Sequence, residues 1–255
     1  MVTIAHISDL HCGKTGFKSK KLSACIKEIN KLKPDAVVVT GDLTLNGYKK
    51  EYEMAKKYLS KIKPKTLIIP GNHDSRLCGY EYFDEFFGYG NTSLDIGSIH
   101  IIGVDTTVPD LDEGNIGRGK LRWLLDELEK RPKDELRIVA MHHHLVSVPR
   151  TGRERSTISD AGTVLHALVN AGVDVVLCGH KHTPHSWLVD TLAVVNAGSV
   201  SAVKLRANVR NSYNIIRIAD GNIEVLLKET GKKPKHMVSY VTSSSERGMV
   251  VSRKS

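Results

Sequence analysis

The 255-residue sequence is short of thiols, aromatics and long apolar runs, and each shortage removes a class of protein. Its four cysteines, Cys12, Cys25, Cys78 and Cys178, lie far apart with no Cys-x-x-Cys pair. Neither a thiolate zinc site nor a disulfide framework is therefore expected, and a reducing compartment fits best. No stretch of eighteen apolar residues occurs, which argues against a membrane-spanning helix. The opening MVTIAHISDL places His6 and Asp9 where a secretory leader needs apolar side chains, so a cytoplasmic protein is expected. Two nucleotide-binding motifs are missing as well. Gly13-Lys14-Thr15 would need glycine at position 8 to make a phosphate loop, and Ser8 stands there; Gly114 to Gly119 follows no buried strand.

Basic excess is also thinner than the formal charge of +9 suggests. Residues 228–255 carry seven Lys or Arg against two Glu, which is +5 of the total, and leave +4 on the other 227 residues. The excess sits in a Ser/Thr-rich segment rather than on a concentrated surface, so it is a weak nucleic-acid signal. Residues 229–255 show no sustained pattern and read as a basic tail, disordered or used for assembly, behind a single domain over 1–228.

What is present alternates. Apolar runs at 2–7, 36–40, 66–70, 137–141 and 174–178 read as buried strands. Helical spacing recurs between them. It is carried by Leu22, Cys25, Ile26, Ile29 and Leu32, by Tyr52, Ala55, Tyr58, Leu59 and Ile62, by Leu121, Leu124, Leu125 and Leu128, and over 160–170. This order builds parallel βαβ units. Residues 93–104, 187–198 and 213–228, the last turning at Asp220-Gly221, read as hairpins. The expected fold is α/β in class, with mixed sheets and helices outside.

The chemistry follows the strands. After the five buried runs come Ser8-Asp9-Leu10-His11, Gly41-Asp42, Gly71-Asn72-His73-Asp74, His142-His143-His144 and Gly179-His180-Lys181-His182. Each is open to a bland reading as a turn or cap. Jointly they place metal-competent groups at one end of the sheet, where α/β proteins bind ligands. The two-residue spacing of Asp9 and His11, and of His180 and His182, lets each pair face one way if the chain stays extended. Carboxylate, imidazole and amide donors without thiolate suit Mn, Fe or Zn.

In this order, D-x-H, G-D, G-N-H-D, H-H and G-H-x-H resemble the calcineurin-like metallophosphoesterases, and GDLTLNGYKKEYE (41–53) resembles the bacterial and archaeal branch with cyclic-nucleotide and glycerophosphodiester phosphodiesterases. The resemblance implies a four-layer β-sandwich flanked by helices and two divalent metal ions. Asp9, His11 and His182 would hold the first ion and Asn72, His142 and His180 the second, with Asp42 bridging. It also implies hydrolysis of small or nucleotide phosphodiesters, 3′,5′-cyclic nucleotides among them, by a hydroxide between the metals, with His73 donating to the developing charge and Asp74 supporting a histidine. A homodimer is a further implication. A metal-dependent nuclease and a non-catalytic scaffold of the same fold are the alternatives.

Three features stay open. His143 faces either the substrate or the core. Arg150, Arg153 and Arg155 either clamp a phosphate or lie on a solvated loop. Residues 79–90 hold six of the fourteen aromatics, and Tyr82/Phe86 and Phe83/Phe87 at spacing four favour a core-facing helix over a base-stacking wall.

Overall fold

A computed structural model describes residues 1–132, 134–152, 157–243 and 248–252. Strands β1 (Val2–Ile7), β2 (Ala36–Thr40) and β3 (Lys65–Ile69) are parallel and are joined by helices α1 (Ser19–Leu32) and α2 (Lys49–Leu59). Helix α1 buries Leu22, Cys25, Ile26 and Ile29, one stripe at 3.6-residue spacing, and ends where Lys33 turns left-handed ahead of Pro34. Helix α3 (Gly79–Phe87) follows β3 and seats Phe83, with Phe86 and Phe87 against Tyr52 of α2. The aromatic segment is a core helix.

Then come β4 (Thr92–Ile96), β5 (Ile99–Val104), α4 (Gly117–Glu129), β6 (Leu136–Met141), α5 (Ala161–Asn170), β7 (Val175–Cys178), β8 (His185–Val189) and β9 (Leu192–Asn196). The chain closes with β10 (Ser212–Ala219), β11 (Asn222–Glu229), β12 (Lys235–Ser243) and β13 (Gly248–Ser252). The three expected hairpins are the antiparallel pairs β4/β5, β8/β9 and β10/β11.

Two mixed sheets result, ordered β13-β12-β11-β10-β1-β2-β3 and β4-β5-β6-β7-β9-β8. Ile4, Val38, Ile69, Ile101, Ala140 and Leu177 pack between them. A second cluster joins the first sheet to α1, α2 and α3, and a third joins the second sheet to α4 and α5. The order of layers is helix, sheet, sheet, helix. Strands such as β2 are buried throughout and largely apolar because both faces are covered, one by a sheet and one by helices. Among the described residues no helix is long and apolar enough to cross a membrane.

The separate tail from residue 229 needs correcting. Lys235–Ser243 pairs with β11 from Lys235 to Val241, and Tyr240 is buried with its hydroxyl against that of Ser186 on the other sheet. Met237, Val238 and Tyr240 give the segment enough apolar surface to hold it on the sheet, which its basic composition concealed. Residues 244–247 and 253–255 lie outside the described residues, as do Arg153 and Arg155.

Candidate metal centre

β1, β2 and β3 of one sheet and β6 and β7 of the other end at the same place. The chain beyond β1 stays laddered to that beyond β2, with the Asp9 and His11 N–H groups donating to the Gly41 and Asp42 carbonyls at 3.0 and 2.9 Å. The Gly179 N–H likewise donates to the His142 carbonyl at 2.9 Å. The turns of β2 and β3 meet backbone to backbone. A Cβ on Gly41 would lie 2.5 Å from the Gly71 nitrogen, and one on Gly71 would lie 2.3 Å from Asp42 Oδ1. Only glycine fits either position.

The convergence does not come from extended chain, as the two-residue spacing had suggested. Asp9, His11, Asp42, His180 and His182 all have left-handed backbones, with φ between 51 and 70°. Each turn re-aims its side chain inward, a strained conformation that persists because the neighbouring loops hold it.

Two groups of donors face each other. Asp9 Oδ1 lies 3.3 Å from His182 Nε2 and 3.9 Å from His11 Nε2, and those two imidazole nitrogens are 2.9 Å apart. On the other side, Asn72 Oδ1 lies 3.1 Å from His142 Nε2 and 3.0 Å from His180 Nδ1. Asp42 spans the two groups, with Oδ2 3.5 Å from His11 Nε2 and Oδ1 3.4 Å from His142 Nε2. All seven residues expected from the sequence are brought together.

Second bonds set the ring orientations. His142 Nδ1–H donates to the Thr40 carbonyl at 2.7 Å and His182 Nδ1–H to the Lys204 carbonyl at 2.8 Å, so in both Nε2 is turned to the cluster. Asn72 Nδ2 donates to Asp112 Oδ1 at 3.0 Å, which aims the amide oxygen at the two histidines. Asp112 also accepts from Arg76 Nη2 at 2.8 Å.

The electrostatics ask for cations. Asp9 and Asp42 are almost wholly buried. Burial alone would raise their pKa values, but the surrounding imidazoles hold both carboxyls below the usual range. For His142, burial opposes the charge while Asp42 and Asp9 favour it more strongly, which raises the pKa to about 9. Burial and neighbouring rings push His11 down to about 3 and His180 well below its usual value. Asp9 Oδ1 is buried with no hydrogen-bond donor. The buried carboxylates draw protons onto His142 and His182, whose pKa values are raised, while His11 and His180 stay neutral; divalent cations would take the place of those protons and complete the set. The residues fit the two metals.

The calcineurin-like phosphoesterase family model matches residues 2–184 of this chain. The chain belongs to that family. This phosphoesterase is 30% identical to a probable glycerophosphodiester phosphodiesterase of Arcobacter nitrofigilis, with 82% of this chain and 84% of the relative covered. It is 28% identical to a 3′,5′-cyclic-nucleotide phosphodiesterase of Nostoc sp., with 71% of each covered. In fold it is similar to a dimetal phosphatase of Danio rerio, at TM-score 0.74 and 10% identity over 95% of this chain and 99% of the other. A purple acid phosphatase of yellow lupin has the same TM-score at 16% identity, over 93% of this chain and 53% of the plant enzyme.

Other expected residues of the phosphoesterase fall differently. His73 lines the cavity over the cluster, with Nδ1–H donating to the Leu45 carbonyl at 2.6 Å and its ring 4.6 Å from that of His11. Asp74 supports no histidine. Its carboxylate accepts from the N–H groups of Gly71, Leu43 and Thr44 and from the Thr44 hydroxyl, which ties the Asp42 turn to the Asn72 turn. Burial and nearby Asp42 raise its pKa to about 6. His143 is turned inward, with Nδ1 accepting from the Thr106 hydroxyl at 2.7 Å and Nε2–H donating to the Asp112 carbonyl at 3.2 Å. Both nitrogens are occupied, so it braces the Asp112 loop although it lies beside His142 and His180. Arg150 is exposed and does not line the cavity.

Sequence reasoning missed Asp112, Lys204 and Arg206. The cavity, about 480 Å³, is lined by these three together with Arg76, Glu113 and Lys181. Burial and the neighbouring Arg206 guanidinium lower the Lys181 pKa. No short motif marks these loop residues.

Proposed function

We propose that this phosphoesterase hydrolyses small phosphodiesters with two divalent cations, Mn, Fe or Zn. Asp9, His11 and His182 would hold one cation and Asn72, His142 and His180 the other, with Asp42 shared between them. The observation that carries this reading is Asp42 itself, whose two oxygens face the two donor groups separately. Bound there, the cations would neutralise phosphoryl oxygens and acidify a water, the two needs of attack on an anionic ester.

The chain's own groups do the rest. His73 Nδ1–H is committed to Leu45, so a proton on Nε2 makes the ring a donor toward the leaving-group oxygen. Its backbone N–H donates to Asp42 Oδ1 at 3.0 Å, which fixes the residue's place relative to Asp42. Asp74 is a positioning residue for the two glycine turns. Thr40 and Lys204 carbonyls keep His142 and His182 in the tautomer that offers Nε2.

The relatives support diesters over monoesters, since those named above are a glycerophosphodiester and a cyclic-nucleotide phosphodiesterase. Four free cysteines, three of them buried, support a reducing compartment such as the cytoplasm. The homodimer implied by the resemblance is read by sedimentation of the purified chain, where a monomer mass would discard it.

The reading is tested by loading the metal-free protein with manganese and assaying bis(4-nitrophenyl) phosphate, 4-nitrophenyl phosphate, 3′,5′-cyclic AMP and linear DNA. Diester turnover that exceeds monoester turnover and vanishes with chelator is expected. Turnover confined to the monoester, or to DNA, would replace it.

A further inference from the structure

We propose that the cavity contains a second anion subsite built by Lys181, Lys204 and Arg206, and that the substrate is a phosphodiester one of whose alcohols carries a further phosphate. This deepens the phosphodiesterase reading and rests on it.

Positive charge on the cavity wall is unmatched. Lys181 stands between His180 and His182, lines the cavity and is only 6% exposed. Long cations are rarely buried so deeply without a carboxylate partner. Among the described residues none lies within ion-pair distance of Lys181, Lys204 or Arg206. Arg76, on the same cavity, shows the contrast, for Asp112 holds it at 2.8 Å. Outside the metal cluster, that leaves Glu113 as the uncommitted carboxylate lining the cavity with three uncommitted cations.

Two bonds tie the Lys204–Arg206 loop to the cavity. His182 Nδ1–H bonds the Lys204 carbonyl, which fixes the loop beside the Asp9 half of the metal centre. Arg206 donates Nη1–H to the Thr151 carbonyl at 2.8 Å and keeps the rest of its guanidinium for a ligand. Like charges gathered at a cavity wall repel one another, and a bound dianion relieves that repulsion.

The diester itself does not account for this wall. It carries one negative charge, and the metal centre is the place for it. A nucleobase is not the better occupant either, because no Phe, Tyr or Trp lines the cavity among the described residues. Tyr82, Phe86 and Phe87 of the dense aromatic segment are instead packed around Tyr52. Recognition beyond the diester is ionic, and a phosphate monoester supplies the charge and acceptors that two or three cations can share.

The test compares glycerophosphoinositol with glycerophosphoinositol 4-phosphate, which differ by one phosphate, on the manganese-loaded protein. The phosphorylated diester is expected to have at least a tenfold higher kcat/KM, carried by KM. In Lys181→Met/Arg206→Met, and partly in Arg206→Met alone, the ratio is expected to fall toward one. Calorimetry of inorganic pyrophosphate on the metal-free protein should show at least tenfold weaker binding in the double variant. Equal kcat/KM for the two diesters in the native protein, or a preference that survives the double substitution, would overturn the subsite. If the native protein hydrolyses neither these diesters nor bis(4-nitrophenyl) phosphate, the phosphodiesterase reading itself falls. Pyrophosphate binding that is equal in native and variant protein separately removes the anion site.

Discussion

The floor of the cavity and its basic wall obey different rules. On the floor, Asp9, His11, Asp42, Asn72 and His142 are at most 3% exposed and each side chain is fixed by a backbone turn or a second hydrogen bond. On the wall, Lys204 and Arg206 stand exposed on a loop with few tethers. The floor is set by the fold, because strands that must pair within two packed sheets can only end there. The wall is a loop laid over that frame, free to vary without disturbing the core. The difference teaches where chemistry and selectivity would separate under the proposals made above, the floor with the reaction and the wall with the substrate.

Substitutions should therefore grade from floor to wall. Asp42→Ala, which removes the shared carboxylate, is expected to abolish two-metal loading and reduce turnover by more than ~10⁴-fold, beyond the range of a single acid–base group; metal analysis alongside diester kinetics reads both. His73→Ala is expected to keep the metals and lower kcat by about 10²–10³-fold. Unchanged turnover in that variant would remove His73 from the chemistry. Asp112→Ala frees the Asn72 amide and leaves Arg76 unpaired, so metal affinity or activity should drop about 10–100-fold.

Stability sharpens the same contrast. Gly179→Ala would put a methyl 2.0 Å from Ser8 Oγ and 2.9 Å from Asp9 Oδ2, so the floor must shift. A loss of roughly 1–3 kcal/mol is expected in urea titration, the range for forced overpacking. Lys204→Ala on the exposed wall should stay within about 0.5 kcal/mol of the native protein in the same titration. Equal losses in the two variants would mean that wall and floor are not separable.

Legibility in the sequence followed the same line. The five buried strands and the seven floor residues could be read because each motif directly follows a β-branched run, so position in the chain stands for position in space. The way they converge could not be read. Nothing in Asp9-Leu10-His11 reveals that both ends adopt positive φ, since that strain is imposed by the loops of β2 and of the opposite sheet. Asp74 was misplaced for a related reason: a carboxylate beside histidines suggests an imidazole partner, whereas here backbone amides from two turns reach it first. The strand at Lys235–Ser243 was hidden by the basic, Ser/Thr-rich composition around it, whereas Tyr240 anchors it between the sheets. Lys204 and Arg206 carried no periodicity at all, and only the fold brings them to the cavity.

The account depends most on a pair of cations held across Asp42, and metal stoichiometry tests that directly. Native protein dialysed free of metal and titrated with manganese should take up two equivalents per chain, gain diester turnover with the loading, and lose both in Asp42→Ala. Uptake of one equivalent or none, or turnover that persists in chelator, would contradict it.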